Sequence, residues 1–212
     1  MPPNIARQIA TVRSELEARP EGLVRHVRRV LAEALALASC WDVDPLRTEL
    51  AVWGHDLYRS HSPAEQLQLA REAGLPIDSA AEASPVLLHG PIAAHVLHRR
   101  FRIADDEVLA AVRDHTLGLA SMPLLAKIIL LADKVELRKR ERAPVMRDIR
   151  HLARRDLDRA LLCWADWKWV DERSHGWQSH PAHWLARSEW VREHHLDAGL
   201  PGRVSGREFS RD

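Results

Sequence analysis

Apolar positions recur at helical spacing in nearly every segment of the 212 residues, and Pro, Gly or Asp breaks the pattern between segments. The periodicity predicts about eight helices. The first runs from about Ile5 to Arg19 and the second from Glu21 to Cys40, with Pro20 between them. A third follows Asp44 and Pro45 and ends on His55-Asp56. Ser62-Pro63-Ala64-Glu65 then opens a fourth with the spacing of a capping box. After Gly74-Leu75-Pro76 and a polar linker, helices are expected from about Pro85 to Arg100 and from Asp105 to His115. The stretch MPLLAKIILLADKVELRKR reads as one helix buried all round, except that Asp133 interrupts it. A carboxylate at a core position needs a partner.

Composition supports an all-α chain. Ala, Leu, Arg and Glu dominate, while there are 9 glycines, 1 tyrosine and 2 phenylalanines. Lys and Arg number 31 against 30 for Asp and Glu, so no long-range field draws in nucleic acid or an anionic membrane. No apolar run is long enough to span a bilayer, and the N-terminal segment lacks the apolar core of a signal peptide. Cys40 and Cys163 have no CxxC partner, which suits a reducing cytoplasm and packing roles. Six of the 8 tryptophans crowd into Trp164, Trp167, Trp169, Trp177, Trp184 and Trp190.

The residues that carry chemistry are His26, the adjacent His55-Asp56, and Asp133, in the order H…HD…D. Neutral imidazoles and carboxylates bind borderline divalent metals such as Fe, Mn, Co, Ni or Zn, and one carboxylate can bridge two ions. The order is similar to that of the HD superfamily of metal-dependent phosphohydrolases. The segments HDLYR, LLHGPIAAHVL, DHTLG and KIILLADKVE resemble the YqeK-type branch, the symmetrical dinucleoside tetraphosphate hydrolases, over roughly Gly22 to Trp190.

The resemblance implies an all-α HD-domain helical bundle with additional C-terminal helices. It divides the chain into an N-terminal helix (1–20), a metallohydrolase domain (21–195) and a flexible tail (196–212). It implies two divalent metal ions, iron foremost, with His26, His55, Asp56 and Asp133 as ligands of one ion. His89 and His115 join Asp56 at the other. Asp56 and Arg59 are the expected catalytic residues, acting with a water activated between the ions. Arg59, Thr116, Gly118, Arg138 and Lys139 are the expected substrate contacts. Arg59 stands where the branch usually has lysine, and LRKR replaces its usual Pro-x-Arg, so Arg138, Lys139 and Arg140 are substitutes.

The implied reaction is symmetrical hydrolysis of diadenosine tetraphosphate, or a related dinucleoside polyphosphate, to two ADP in the cytoplasm. Two alternatives stay open: a nucleotide phosphatase or phosphodiesterase with the same metals, and a regulatory protein that binds a partner through its Trp-rich end. That end also suits a homodimer. His61 lies close enough to the HD pair to reach a phosphate, or it serves only the loop surface. Trp164 and Trp167, at helical spacing, read as core or interface before base stacking.

Overall fold

Asn4, Asp44, Ser62, Asp78, Asp105, Glu136 and Asp156 each turn a side-chain oxygen onto the N–H groups that a helix start leaves unpaired. The computed structural model describes residues 4–197, with side chains as far as His194. The chain forms α1 (Ile5–Glu17), α2 (Glu21–Cys40), α3 (Pro45–His55), α4 (Pro63–Glu72) and α5 (Ser79–Ala83). A 3₁₀ turn at Pro85–Leu88 leads into α6 (His89–Arg99), followed by α7 (Asp106–Asp114) and α8 (Leu124–Val135). Then come α9 (Leu137–Arg142), α10 (Val145–Ala153), α11 (Leu157–Ser174) and α12 (Pro181–Asp197). No strand occurs among the described residues. The expected tail, 196–212, lies outside them but for the end of α12.

The helix starts agree with the caps in the sequence, and the Ser62–Glu65 capping box forms in both directions. Among the described residues twelve α-helices stand where about eight were expected, and two of the additions have local reasons. The polar linker holds α5, a single turn capped by Asp78. The expected long helix from Leu124 breaks at Glu136, which turns extended (ψ 161°) and accepts from the Arg138 N–H to start α9 afresh.

The helix α8 is the axis of the fold, apolar and buried on all sides, with α2, α7, α10 and α11 packed around it. A second layer centres on α3, which touches α1, α2, α6 and α7. Ile9, Val12 and Leu16 place α1 in the same continuous apolar cluster as the rest. At the base of this bundle Glu33 is buried and bonded to Arg140 Nη1 and Arg150 Nε, both at 2.6 Å, which ties α2 to α9 and α10. Arg140 therefore faces away from the solvent role that a basic helix end suggests.

The Trp-rich end is divided. Trp164 and Trp190 are core residues, while Trp169 and Trp177 are exposed. The ring of His183, also buried, lies edge-on to Trp164 at 5.0 Å, and its Nδ1 donates to the Leu117 carbonyl at 2.9 Å. Trp190 Nε1 donates to the Leu119 carbonyl at 3.0 Å. Two residues of α12 thereby clamp the loop after α7. Cys40 and Cys163, expected inside, are both exposed: each sits on the outer face of its helix. No helix among the described residues is long and apolar enough to cross a membrane.

Gly118 makes this clamp sterically exact in what it demands. Its φ is +76°, and a Cβ there would meet the Trp190 ring at 2.6 Å. Gly118→Ala is expected to destabilise the protein by about 2–4 kcal/mol, from left-handed strain plus overpacking. Urea unfolding measures it, and an unchanged midpoint would show that α12 does not hold this loop.

Candidate metal centre

Helix ends supply the site, because the last carbonyls of a helix have no partner within it. Val52 sits in the last turn of α3, and its carbonyl accepts from His55 Nδ1 at 2.7 Å. Val112 does the same for His115 at the end of α7, at 2.8 Å. In the 3₁₀ turn before α6, the Val86 carbonyl accepts from His89 Nδ1. A carbonyl can only accept, so Nδ1 carries the proton in all three rings. Each Nε2 is left with a lone pair aimed inward.

Asp56 receives them. Its Oδ1 lies 3.1 Å from His89 Nε2 and 3.5 Å from His115 Nε2, and its Oδ2 lies 3.5 Å from His26 Nε2 and 3.7 Å from His55 Nε2. One carboxylate thus faces a histidine pair with each oxygen. The close approach of His89 to His115 depends on Gly90, where a Cβ would meet the backbone oxygens of Arg113 at 2.8 Å and Val112 at 3.0 Å. Asp133 stands beside the first pair, 3.2 Å from His26 Nε2, and is held by Lys134 at 2.6 Å and Lys139 at 2.9 Å. The partner required for a buried carboxylate is therefore a pair of ammonium groups.

The electrostatics keep the donors in ligand form. Burial pushes the His115 pKa down to about 3, against the pull of Asp56, and burial likewise lowers that of His55. Burial alone would raise Asp56, but positive charge on the His55, His115 and His89 side of the carboxyl outweighs it and holds the carboxyl well below its usual range. Asp133 follows the same logic, with burial overcome by Lys134, Lys139 and His26. A divalent cation would supply that charge with His55 and His115 neutral and Asp56 and Asp133 ionised.

Two observations test the fit of such a cation. The Nε2 of His55 is buried without a hydrogen-bond partner. The Nε2 atoms of His89 and His115 face each other at 2.9 Å, although both Nδ1 protons are committed to carbonyls, so two lone pairs point together. An electrophile between them resolves the conflict. Among the described residues two groups have donor atoms within 4.8 Å of one another, His26/His55/Asp56 and Asp56/His89/His115, with Asp56 in both. The donor set fits divalent metal.

A cavity of about 420 Å³ opens onto this cluster. Arg59, Thr116, Arg138 and Lys139, expected as substrate contacts, line it together with Arg29, Lys134 and Arg142. Gly118 does not; it packs under Trp190. His61 stacks on Tyr58 at 4.8 Å and also stays outside the lining.

Sequence reasoning passed over Arg29 and Glu136. Glu136 is buried, bonds Arg29 Nε at 2.6 Å, and lies 3.6 Å from His26 Nδ1. It supplies electrostatically for His26 what carbonyls supply for the other rings. Its place three residues after Asp133, on the same helical face, is the signal that was available.

With that geometry in hand, the chain matches the HD domain family model over residues 23–138. It is 31% identical over 137 residues to "Bis(5'-nucleosyl)-tetraphosphatase, symmetrical" of Bacillus subtilis, which covers 65% of this chain and 72% of the relative. Its counterpart in Staphylococcus aureus is 34% identical over 137 residues, 65% of this chain and 69% of the relative. The fold is similar to the crystal structure of an HD superfamily hydrolase from Clostridium acetobutylicum, described as involved in NAD metabolism. The TM-score is 0.81 at 24% identity, covering 87% of this chain and 97% of that one.

Glu136→Gln keeps the size and a weaker α9 cap but removes the charge beside His26. Affinity for a divalent metal, titrated against a competing chelator, is expected to fall about 10- to 100-fold with circular dichroism unchanged. An affinity within a factor of about two of the parent would mean that Glu136 does not orient His26.

Proposed function

The chain belongs to the HD domain family and is a metal-dependent phosphohydrolase, and we propose that it splits diadenosine tetraphosphate, or a close dinucleoside polyphosphate, symmetrically into two nucleoside diphosphates. The observation that carries this is Asp56, a buried carboxylate with one histidine pair at each oxygen, under a cavity rich in cations. Its relatives of that printed name support the substrate.

In this reading His26, His55, Asp56 and Asp133 would hold one divalent ion, and Asp56, His89 and His115 a second, with iron as the metal that family resemblance favours. Bound ions of this kind supply Lewis acidity, which lowers the pKa of water and neutralises charge on phosphorus. The chain's own part is positioning. Arg59, Arg138 and Arg142 present guanidinium forks to a polyphosphate, and such forks pair with phosphate oxygens two at a time, while Arg29, held through Nε by Glu136, adds positive charge. Lys134 and Lys139 keep Asp133 ionised and add positive charge at the same wall. Loop residue Thr116 stands at the far rim, its Oγ1 3.2 Å from His115 Nε2.

Symmetrical cleavage needs a β-phosphorus over Asp56. Water adds its oxygen to that phosphorus, the central bridging oxygen leaves with the other half, and the two protons of the water pass to the new terminal phosphates or to solvent. An adenosine held beside the LLHGPIAA and HTLG segments places its α-phosphate near Arg59 and the next one at the cluster. The domain proposed for this work is 21–195, acting in the cytoplasm, with α1 packed against it and room for a homodimer at the Trp-rich end.

Chromatography of an early diadenosine tetraphosphate digest is expected to show ADP alone; AMP plus ATP would contradict symmetrical cleavage. Absence of turnover beside brisk mononucleotide hydrolysis would move the substrate to mononucleotides. Asp56→Ala is expected to lower turnover at least about 1,000-fold while helicity persists, because apolar packing, not the site, carries the stability. Activity within a few-fold of the parent would remove Asp56 from its central role.

A further inference from the structure

A second cavity, of about 510 Å³, lies beyond Thr116, between α5, the loop after α7 and the segment that joins α11 to α12. Thr116 lines both cavities, so a ligand spanning them passes Thr116, whose Oγ1 lies 3.2 Å from His115 Nε2. The two walls differ in charge. Cationic side chains crowd the first cavity. The only lysine of the second, Lys168, is paired with Glu172, and the remaining lining is apolar or uncharged apart from His180. A polyanion suits the first, and a neutral heterocycle suits the second.

Trp177 stands at the mouth of the second cavity, 58% exposed although it is the largest kind of apolar side chain. Its position is fixed by the end of α11. Gly176 takes a left-handed φ of +72°, its N–H reaches the Arg173 carbonyl at 3.2 Å, and the Trp177 N–H reaches the Glu172 carbonyl at 2.8 Å. One face of the indole is covered by the His175 ring, stacked at 4.6 Å and 21°. His175 is itself held by the Asp171 carbonyl at 2.8 Å and does not line the cavity. A braced aromatic surface is thereby presented to the cavity. Beside it Glu172, pinned by Lys168 and Ser179, offers a fixed acceptor.

We infer that this second cavity seats a nucleobase of the substrate, stacked on Trp177, while the phosphates extend past Thr116 to the histidine cluster. The inference rests on the nucleotide-hydrolase reading above and adds the base-binding residues to it. Trp177, Glu172 and Lys168 all lie outside the residues 23–138 that match the family model, so this part of the site is built by the chain's own C-terminal segment.

Calorimetric titration of the metal-loaded full chain tests it, with ADP as the nucleotide probe and inorganic tripolyphosphate as a probe that lacks a base. Trp177→Ala should weaken ADP about 5- to 150-fold, the usual range for losing one base–aromatic stack. Trp177→Phe should restore most of the affinity, and tripolyphosphate should bind parent and variants alike. Equal ADP affinity in parent and Trp177→Ala would overturn the inference, as would a parent that binds ADP no better than tripolyphosphate. Symmetrical hydrolysis that survives either result leaves the proposed function standing. Trp177-dependent ADP binding without dinucleoside tetraphosphate turnover would support the base site and sink the substrate assignment instead.

Discussion

A carboxylate taken out of water must meet positive charge or donors, and Asp56 lies among four imidazoles drawn from four helix boundaries, three of which turn lone pairs toward it, so the site calls for a cation. Much of the architecture follows from bringing those boundaries together. The start of α2, the ends of α3 and α7 and the start of α6 converge, and α8 contributes Asp133 from its last turn. At His55 and His115 helix ends suit the task because orphan carbonyls need donors, and an imidazole that donates with one nitrogen presents the other to the interior; His89 uses the Val86 carbonyl, which also accepts the His89 backbone N–H, in the same way. Capping a helix and aiming a ligand become one act.

The C-terminal helices extend this logic by holding the loop that follows His115. Trp190 and His183 both bind carbonyls of that loop, at Leu119 and Leu117. The same nitrogen arrangement recurs in His183, whose Nδ1 donates to a carbonyl, but burial against Trp164 pushes its pKa down to about 4 and leaves Nε2 unpartnered. It is a packing histidine built on the plan of a ligand. What separates the two is the presence of carboxylates, which gather around His26 and His55 and not around His183.

How much of this was legible in the sequence follows from the range of the forces involved. Capping residues act on their own helix, so the boundaries at Pro45, Pro63 and Asp106 were readable within a residue or two. The ordered histidines and aspartates were readable because their types and spacing are unusual for a core. Glu33 with Arg140, Glu136 with Arg29, and Trp177 beyond Thr116 were not, since each joins positions far apart in the chain, the charged pairs read alone as solvated surface, and the tryptophan reads alone as core. The break at Glu136 shows the limit most plainly. A good helix former leaves its helix there because its carboxylate is engaged by Arg29 and the Arg138 N–H.

One pattern does lie open in the sequence: V-x-x-H, which also occurs at Val191–His194, is present at all three carbonyl-anchored rings of the site, Val52–His55, Val86–His89 and Val112–His115. The acceptor in each is a peptide carbonyl, which every amino acid carries. Exchanging those valines alters packing but cannot delete the anchor, so the orientation of three rings is insulated from drift at the positions that orient them. His26 is different, for its Nδ1 faces the side chain of Glu136, and a single codon change can re-aim it. The site therefore combines three histidines of low mutational sensitivity with one that is open to evolutionary adjustment.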